Sequence, residues 1–191
     1  SYNIDGKMYK IIKSLYSHTE ACIKLTNMYA DWFITENGVR QGDSLSPTLF
    51  YLFINDLSTD LNSLNIGVKF GSEILSLLMY ADDLVIVADT PEHLQKLLYQ
   101  VENWCKRWKL CINKDKKKVV HFRKKRNKVC DYNFTLNGVP IDIVPQYKYL
   151  GVVLYEYLDF ESTAKVLTDS GGRALSSIIH KFKQYKDIGY K

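Results

Sequence analysis

The sequence predicts an α+β fold in which an antiparallel sheet carries helices on one face. Three observations point to it. Apolar runs at 74–79 and 84–87 flank Tyr80-Ala81-Asp82-Asp83, the pattern of a strand, a turn and a returning strand. Asn137-Gly138 separates two further apolar segments, and that dipeptide is a strong hairpin signal. Leu94, Leu97, Leu98, Val101, Trp104, Cys105 and Trp108 recur three and four residues apart, which is one face of a helix.

Met8, Ile11, Ile12 and Leu15 place an amphipathic helix between Lys7 and Tyr16. Residues 21–35 are extended on both sides of Thr26-Asn27, a hairpin. Residues 38–47 are rich in turn formers, and Ser46-Pro47 reads as an N-cap followed by proline at the first helical position. The helix after it, with Leu49, Phe50, Leu52, Phe53, Ile54 and Leu57, is apolar on more than one side and should pack behind the hairpin at Tyr80–Asp83. Thr90-Pro91 opens the next helix by the same device, and both of its tryptophans belong to the core. Val119–Phe122 reads as a short strand, 132–136 and 139–144 as a hairpin, and Tyr147–Leu154 as one strand. From Glu161 onward the apolar spacing gives one or two helices, loosened at Gly171-Gly172.

At 191 residues with 46% apolar content, the chain suits one domain with a small appended subdomain. No uninterrupted apolar run reaches the roughly 18 residues that a membrane helix needs, and no secretory signal pattern opens the chain. Cys22, Cys105, Cys111 and Cys130 are scattered and form no C-x-x-C pair, so reduced thiols of an intracellular protein are expected rather than a zinc site. The charge is concentrated. Residues 114–128 hold nine Lys/Arg (Lys114, Lys116, Lys117, Lys118, Arg123, Lys124, Lys125, Arg126, Lys128) against Asp115 alone, within a net charge of +5. Such a stretch suits phosphate backbones, although a solvated basic loop has the same composition.

Two constellations carry chemistry. Adjacent acids at a turn between apolar strands repel each other, and a divalent metal relieves that repulsion; a plain polar turn is the other reading of Asp82-Asp83. Gly38-Val39-Arg40-Gln41-Gly42-Asp43 offers a backbone open to close approach at Gly42, a donor and acceptor at Gln41, and a phosphate partner at Arg40.

Together these segments resemble reverse transcriptases of the non-LTR (LINE-like) retrotransposon type. Gly38–Asp43 with Leu45-Ser46-Pro47 is similar to motif B of that family, and Tyr80–Asp83 to motif C. Asn113–Phe122 is similar to motif D, more loosely, because Lys117 stands where threonine is common. Tyr147-Lys148-Tyr149-Leu150-Gly151 resembles motif E, the primer grip, and Gly172-Arg173-Ala174-Leu175 the start of a thumb. The resemblance implies a polymerase-type palm over 1–154 and a partial helical thumb over 155–191. It implies an RNA-directed DNA polymerase using two-metal nucleotidyl transfer, with RNA template, DNA primer and dNTP as partners. Asp82 would be the principal magnesium ligand and Asp83 its partner. Arg40, Gln41 and Gly42 would lie against template base and nucleotide. Lys116 would face the leaving pyrophosphate, within a window spanning Lys114–Lys118, and Tyr149, Leu150 and Gly151 would hold the primer end. Lys114, Lys117, Lys118, Arg123, Lys124, Lys125 and Arg126 would meet the nucleic acid.

One family feature has no counterpart in these residues. The aspartate of motif A belongs upstream, and neither Asp5 nor Asp31 has its sequence context. The expectations are therefore weak magnesium binding by residues 1–191, no primer extension without the missing segment, and an open sheet edge prone to self-association. The alternative is a non-catalytic palm remnant that binds nucleic acid or protein; a small basic RNA-binding domain with chance similarity is a third reading.

Overall fold

A computed structural model describes residues 4–35, 38–113 and 116–184. The first elements are α1 (Gly6–Tyr16), β1 (Thr19–Ala21), β2 (Lys24–Leu25), β3 (Met28–Tyr29), β4 (Phe33–Thr35) and α2 (Ser46–Ser63). Next come β5 (Val68–Phe70), β6 (Glu73–Leu75), β7 (Leu77–Tyr80), β8 (Asp83–Ile86) and α3 (Pro91–Trp108). The chain continues through β9 (Thr135–Leu136), β10 (Val139–Pro140), β11 (Gln146–Tyr149), β12 (Val152–Tyr155) and α4 (Glu161–Gln184). The fold is α+β, as the apolar patterns predicted, and its antiparallel pairing is local. Among the described residues the strands form two-stranded ladders: β1 with β4 around the inner pair β2–β3, then β5–β6, β7–β8, β9–β10 and β11–β12.

Two compact units result. One comprises the chain up to Leu64 together with Leu77–Val85; the other comprises Asn65–Ser76 and the chain from Ile86 onward. In the first unit, Ile54, Leu57 and Leu61 recur along one face of α2 and are buried. In the second, Leu98 of α3 closes on Phe134, Leu136 and Ile141, flanked by Leu94, Ile112, Val119 and Tyr132. No helix among the described residues is long and apolar enough to cross a membrane.

Several local readings change. Ser46 is the first helical residue of α2 rather than its cap; Leu45 takes the cap position, without a side-chain capping bond. Thr90 does cap α3, its hydroxyl accepting from the His93 amide at 3.2 Å. Trp104 is buried, but Trp108 is 45% exposed, because it sits on the last turn, where α3 ends at left-handed Lys109. Residues 74–79 break at buried Ser76, so that β6 pairs back with β5 while β7 pairs forward with β8. Tyr147–Leu154 is the hairpin β11–β12, turning at Leu150-Gly151 with φ of +47° and +85°. Continuous β-formers on both sides of that turn had hidden it. Val119–Phe122 makes one parallel bridge, Val119 with Ile143, before Arg123 hands its amide to the Glu156 carbonyl at 2.8 Å. α4 runs unbroken through Gly171-Gly172.

Candidate active site and nucleic-acid interface

The β7–β8 hairpin carries the acid pair at its tip. Ala81, with φ of +51°, and Asp82 form the turn, and Asp83 opens β8. Both carboxylates are exposed. Successive residues of a strand point to opposite faces, so Asp83 shares its face with Val85 and not with Leu84 and Ile86; all three apolar residues are half-buried. Carboxylate oxygens are the hard donors that magnesium takes, so the tip fits a divalent cation in donor chemistry. Among the described residues, no group of three or more His, Cys, Asp or Glu side chains is placed to hold an ion.

The loop before α2 is held by a compact polar knot. The Tyr16 hydroxyl, at the end of α1, donates to Asp43 Oδ2 at 3.1 Å and lies 3.1 Å from Ser46 Oγ. The Leu45 amide donates to Asp43 Oδ1 at 3.0 Å, and Ser46 Oγ donates to the Arg40 carbonyl at 2.6 Å. Arg40 turns its Nη2 onto the Leu15 carbonyl at 2.5 Å, with its guanidinium 5.6 Å from the Tyr16 ring centre. A cation there is favourable, because the last carbonyls of a helix carry its negative end. The Leu45 amide, the Tyr16 hydroxyl and the Arg40 charge together hold the Asp43 carboxyl below its ordinary range, against the opposing effect of desolvation. Gln41 and Gly42 protrude from this knot, both exposed, and Gly42 adopts φ of +82°. Residues 38–47 thus form a braced platform, in which Tyr16 and Asp43 matter most. Asp43 falls within the Gly38–Asp43 segment, but Tyr16 has no signature in the sequence, because a tyrosine closing an amphipathic helix carries no signal of a partner 27 residues away.

In the second unit, exposed Lys116 is tied to β11, its carbonyl accepting from the Tyr147 hydroxyl at 2.9 Å. The expected cluster of cations separates into groups. Lys117 is half-buried, its Nζ 3.4 Å from the Val139 carbonyl and 3.5 Å from that of Leu136. Lys118 pairs with Asp142 at 2.6 Å and keeps that carboxyl low. Arg123 is bound to Glu156 at 2.8 Å and to the Tyr157 hydroxyl at 3.1 Å. Lys124, Lys125 and Arg126 are exposed. Lys114 lies outside the described residues. Tyr149, Leu150 and Gly151 occupy the end of β11 and its turn, with Leu150 half exposed. Asp82, Asp83, Arg40, Gln41 and Gly42 belong to the first unit, whereas Lys116, the basic loop and the β11–β12 turn belong to the second.

The profile of the reverse transcriptase (RNA-dependent DNA polymerase) family matches residues 2–154. The chain is 27% identical, over 94% of its length, to the RNA-directed DNA polymerase from mobile element jockey of Drosophila funebris. It is 31% identical, over 79% of its length, to the Retrovirus-related Pol polyprotein from type-1 retrotransposable element R2 of Nasonia vitripennis. It is 29% identical, over 84% of its length, to the probable RNA-directed DNA polymerase from transposon BS of Drosophila melanogaster. These alignments span 18%, 15% and 18% of the relatives' own lengths, respectively. With a family match running from the first helix through β12, and relatives drawn from non-LTR elements, the chain belongs to the reverse transcriptase family, in its LINE-like branch.

Proposed function

We propose that residues 1–154 are palm, and 155–191 the start of a thumb, of an enzyme that copies RNA into DNA from a DNA primer. The observation that carries this reading is the acid pair at an exposed hairpin tip, inside a chain whose family match covers 2–154. Asp82 and Asp83 would hold magnesium, which when bound neutralises charge during phosphoryl transfer. Gln41 and Gly42, projecting from the braced loop, would present a polar side chain and an unobstructed backbone to the template base and incoming dNTP. Arg40 supports that loop through Leu15 and lies beside it. Lys116 would supply a cation or proton to the departing pyrophosphate. The β11–β12 turn, Tyr149-Leu150-Gly151, would steady the primer end, and the basic segment would carry the strands' phosphates.

Two adjacent carboxylates cannot surround two ions roughly 3.5–4 Å apart, so residues 1–191 alone should not extend a primer. The test is primer extension on an RNA template with magnesium, using this chain with and without an upstream segment bearing an aspartate. Activity gained with that segment and lost in Asp82→Asn supports the reading. Robust synthesis by residues 1–191 alone would move the third carboxylate to Asp5 or Asp31. No synthesis under any arrangement would favour a palm that binds without catalysing.

A further inference from the structure

The basic segment after Val119 is more than a string of charges, because its base is locked. The Cys130 amide donates to His121 Nδ1 at 3.0 Å, closing the loop from both ends. Within it, the Asn127 amide donates to the Lys124 carbonyl at 2.9 Å, and Arg123 Nη1 donates to the Asn127 carbonyl at 2.5 Å. Arg123 Nη2 reaches Glu156, and the two side chains are only 10% and 13% exposed. The guanidinium also lies 4.9 Å from the centre of the Tyr157 ring, and Lys125 Nζ lies 5.7 Å from the same ring. Arg123 Nε is buried and makes no hydrogen bond, so the protein does not saturate this guanidinium. An open hollow lies here, lined by Phe122, Lys124, Lys125, Asn127, Tyr157 and Leu158. Phe122 is 42% exposed at its rim.

We propose that this loop is a docking site for single-stranded nucleic acid, resting on the polymerase reading above and refining where the strand is gripped. Lys124, Lys125 and Arg126 take consecutive phosphates. Phe122 offers a ring to an unpaired base, a contact indifferent to sequence because every base has a π-face. Tyr157 is occupied by cations and serves as the mount. Arg123 is a positioning residue: its charge is neutralised by Glu156, and it fixes the loop over the end of the β11–β12 hairpin.

If the site were only a field of positive charge, Glu156→Gln would remove an acid and tighten binding. If Arg123 positions the loop, the same substitution releases it and weakens binding. The measurement is fluorescence anisotropy of labelled oligo(dT) with the 191-residue chain across a salt series, with circular dichroism to verify folding. Simultaneous Lys124→Ala, Lys125→Ala and Arg126→Ala should weaken binding about tenfold or more and flatten the slope of log affinity against log salt by about 2, at roughly 0.7 per phosphate on a single strand. Glu156→Gln should weaken binding severalfold, as should Arg123→Lys, which keeps the charge and loses the forked geometry. An unchanged slope in the triple variant overturns the site. Tighter binding by Glu156→Gln overturns the positioning role. Equal affinity for a duplex of the same length, or displacement of the oligonucleotide by phosphatidylserine vesicles at matched charge, overturns the single-strand assignment. Binding is read without polymerisation, so this proposal and the catalytic reading fail separately.

Discussion

Gln95, buried on α3, exchanges two hydrogen bonds of 2.9 Å with the backbone of Thr135: its Nε2 donates to the carbonyl, and its Oε1 accepts from the amide. The amide side chain thereby acts as one more rung of ladder, docking the β9–β10 hairpin onto the helix. Two turns further along the same helix, Glu102 accepts from the Asn137 amide at 2.8 Å.

Gln95→Leu should therefore destabilise the second unit by about 2 kcal/mol, since it strands a backbone donor and acceptor rather than merely deleting a contact. Urea unfolding followed by tryptophan fluorescence checks this, because Trp104 lies in the same helix. A loss below about 0.5 kcal/mol would mean that water replaces both bonds.

Asp43 gives stability a dependence on pH. Its carboxyl is held below the ordinary aspartate value of 3.8 in the folded chain, so its contribution is fully present above the unfolded value. That contribution is lost as pH falls through the lower folded value. Asp43→Asn should accordingly lower the melting temperature at neutral pH, and the gap to wild type should narrow as the solution is acidified below about pH 4. A gap independent of pH would assign the effect to shape alone.

Ion binding at the hairpin tip should be weak and local. Magnesium retains its waters and demands octahedral geometry, so two carboxylates hold it loosely. Titration with manganese, read by paramagnetic broadening in NMR, should affect Tyr80–Leu84 first and saturate only at millimolar concentrations. The double substitution Asp82→Asn, Asp83→Asn should remove the effect.

Self-association is the expected behaviour of the β7–β8 pair. Among the described residues these strands pair only with each other, and bare strand edges recruit further strands. Sedimentation velocity over a concentration series should show a rising mean mass. A strictly monomeric profile throughout would count against it.

Local chemistry was legible in the sequence wherever one or two residues decide a geometry. Thr90-Pro91 announced α3, and Asn137-Gly138, with φ of +53° and +70°, announced its turn. The adjacent acids likewise placed Asp82 and Asp83 at a tip. What escaped was chemistry set by partners far away in the chain. Arg123 reads as one more cation until Glu156 and Tyr157, 33 and 34 residues on, are seen to claim it. Arg40 was read as a phosphate ligand, and its contact with the Leu15 carbonyl, 25 residues back, has no local signature. The end of α3 was equally silent, because Lys109 takes the left-handed conformation with φ of +55°, where glycine is the usual choice.

The β11–β12 turn places Leu150 in that same left-handed region, with φ of +47°, immediately before Gly151. A branched apolar side chain is disfavoured there by roughly 1–2 kcal/mol relative to the right-handed form, whereas glycine adopts it freely. Burial recovers only part of that cost, since Leu150 is 50% exposed. Folding stability by itself would thus favour a glycine at this position. The hairpin instead keeps a half-exposed, branched apolar side chain in a costly backbone conformation at its apex.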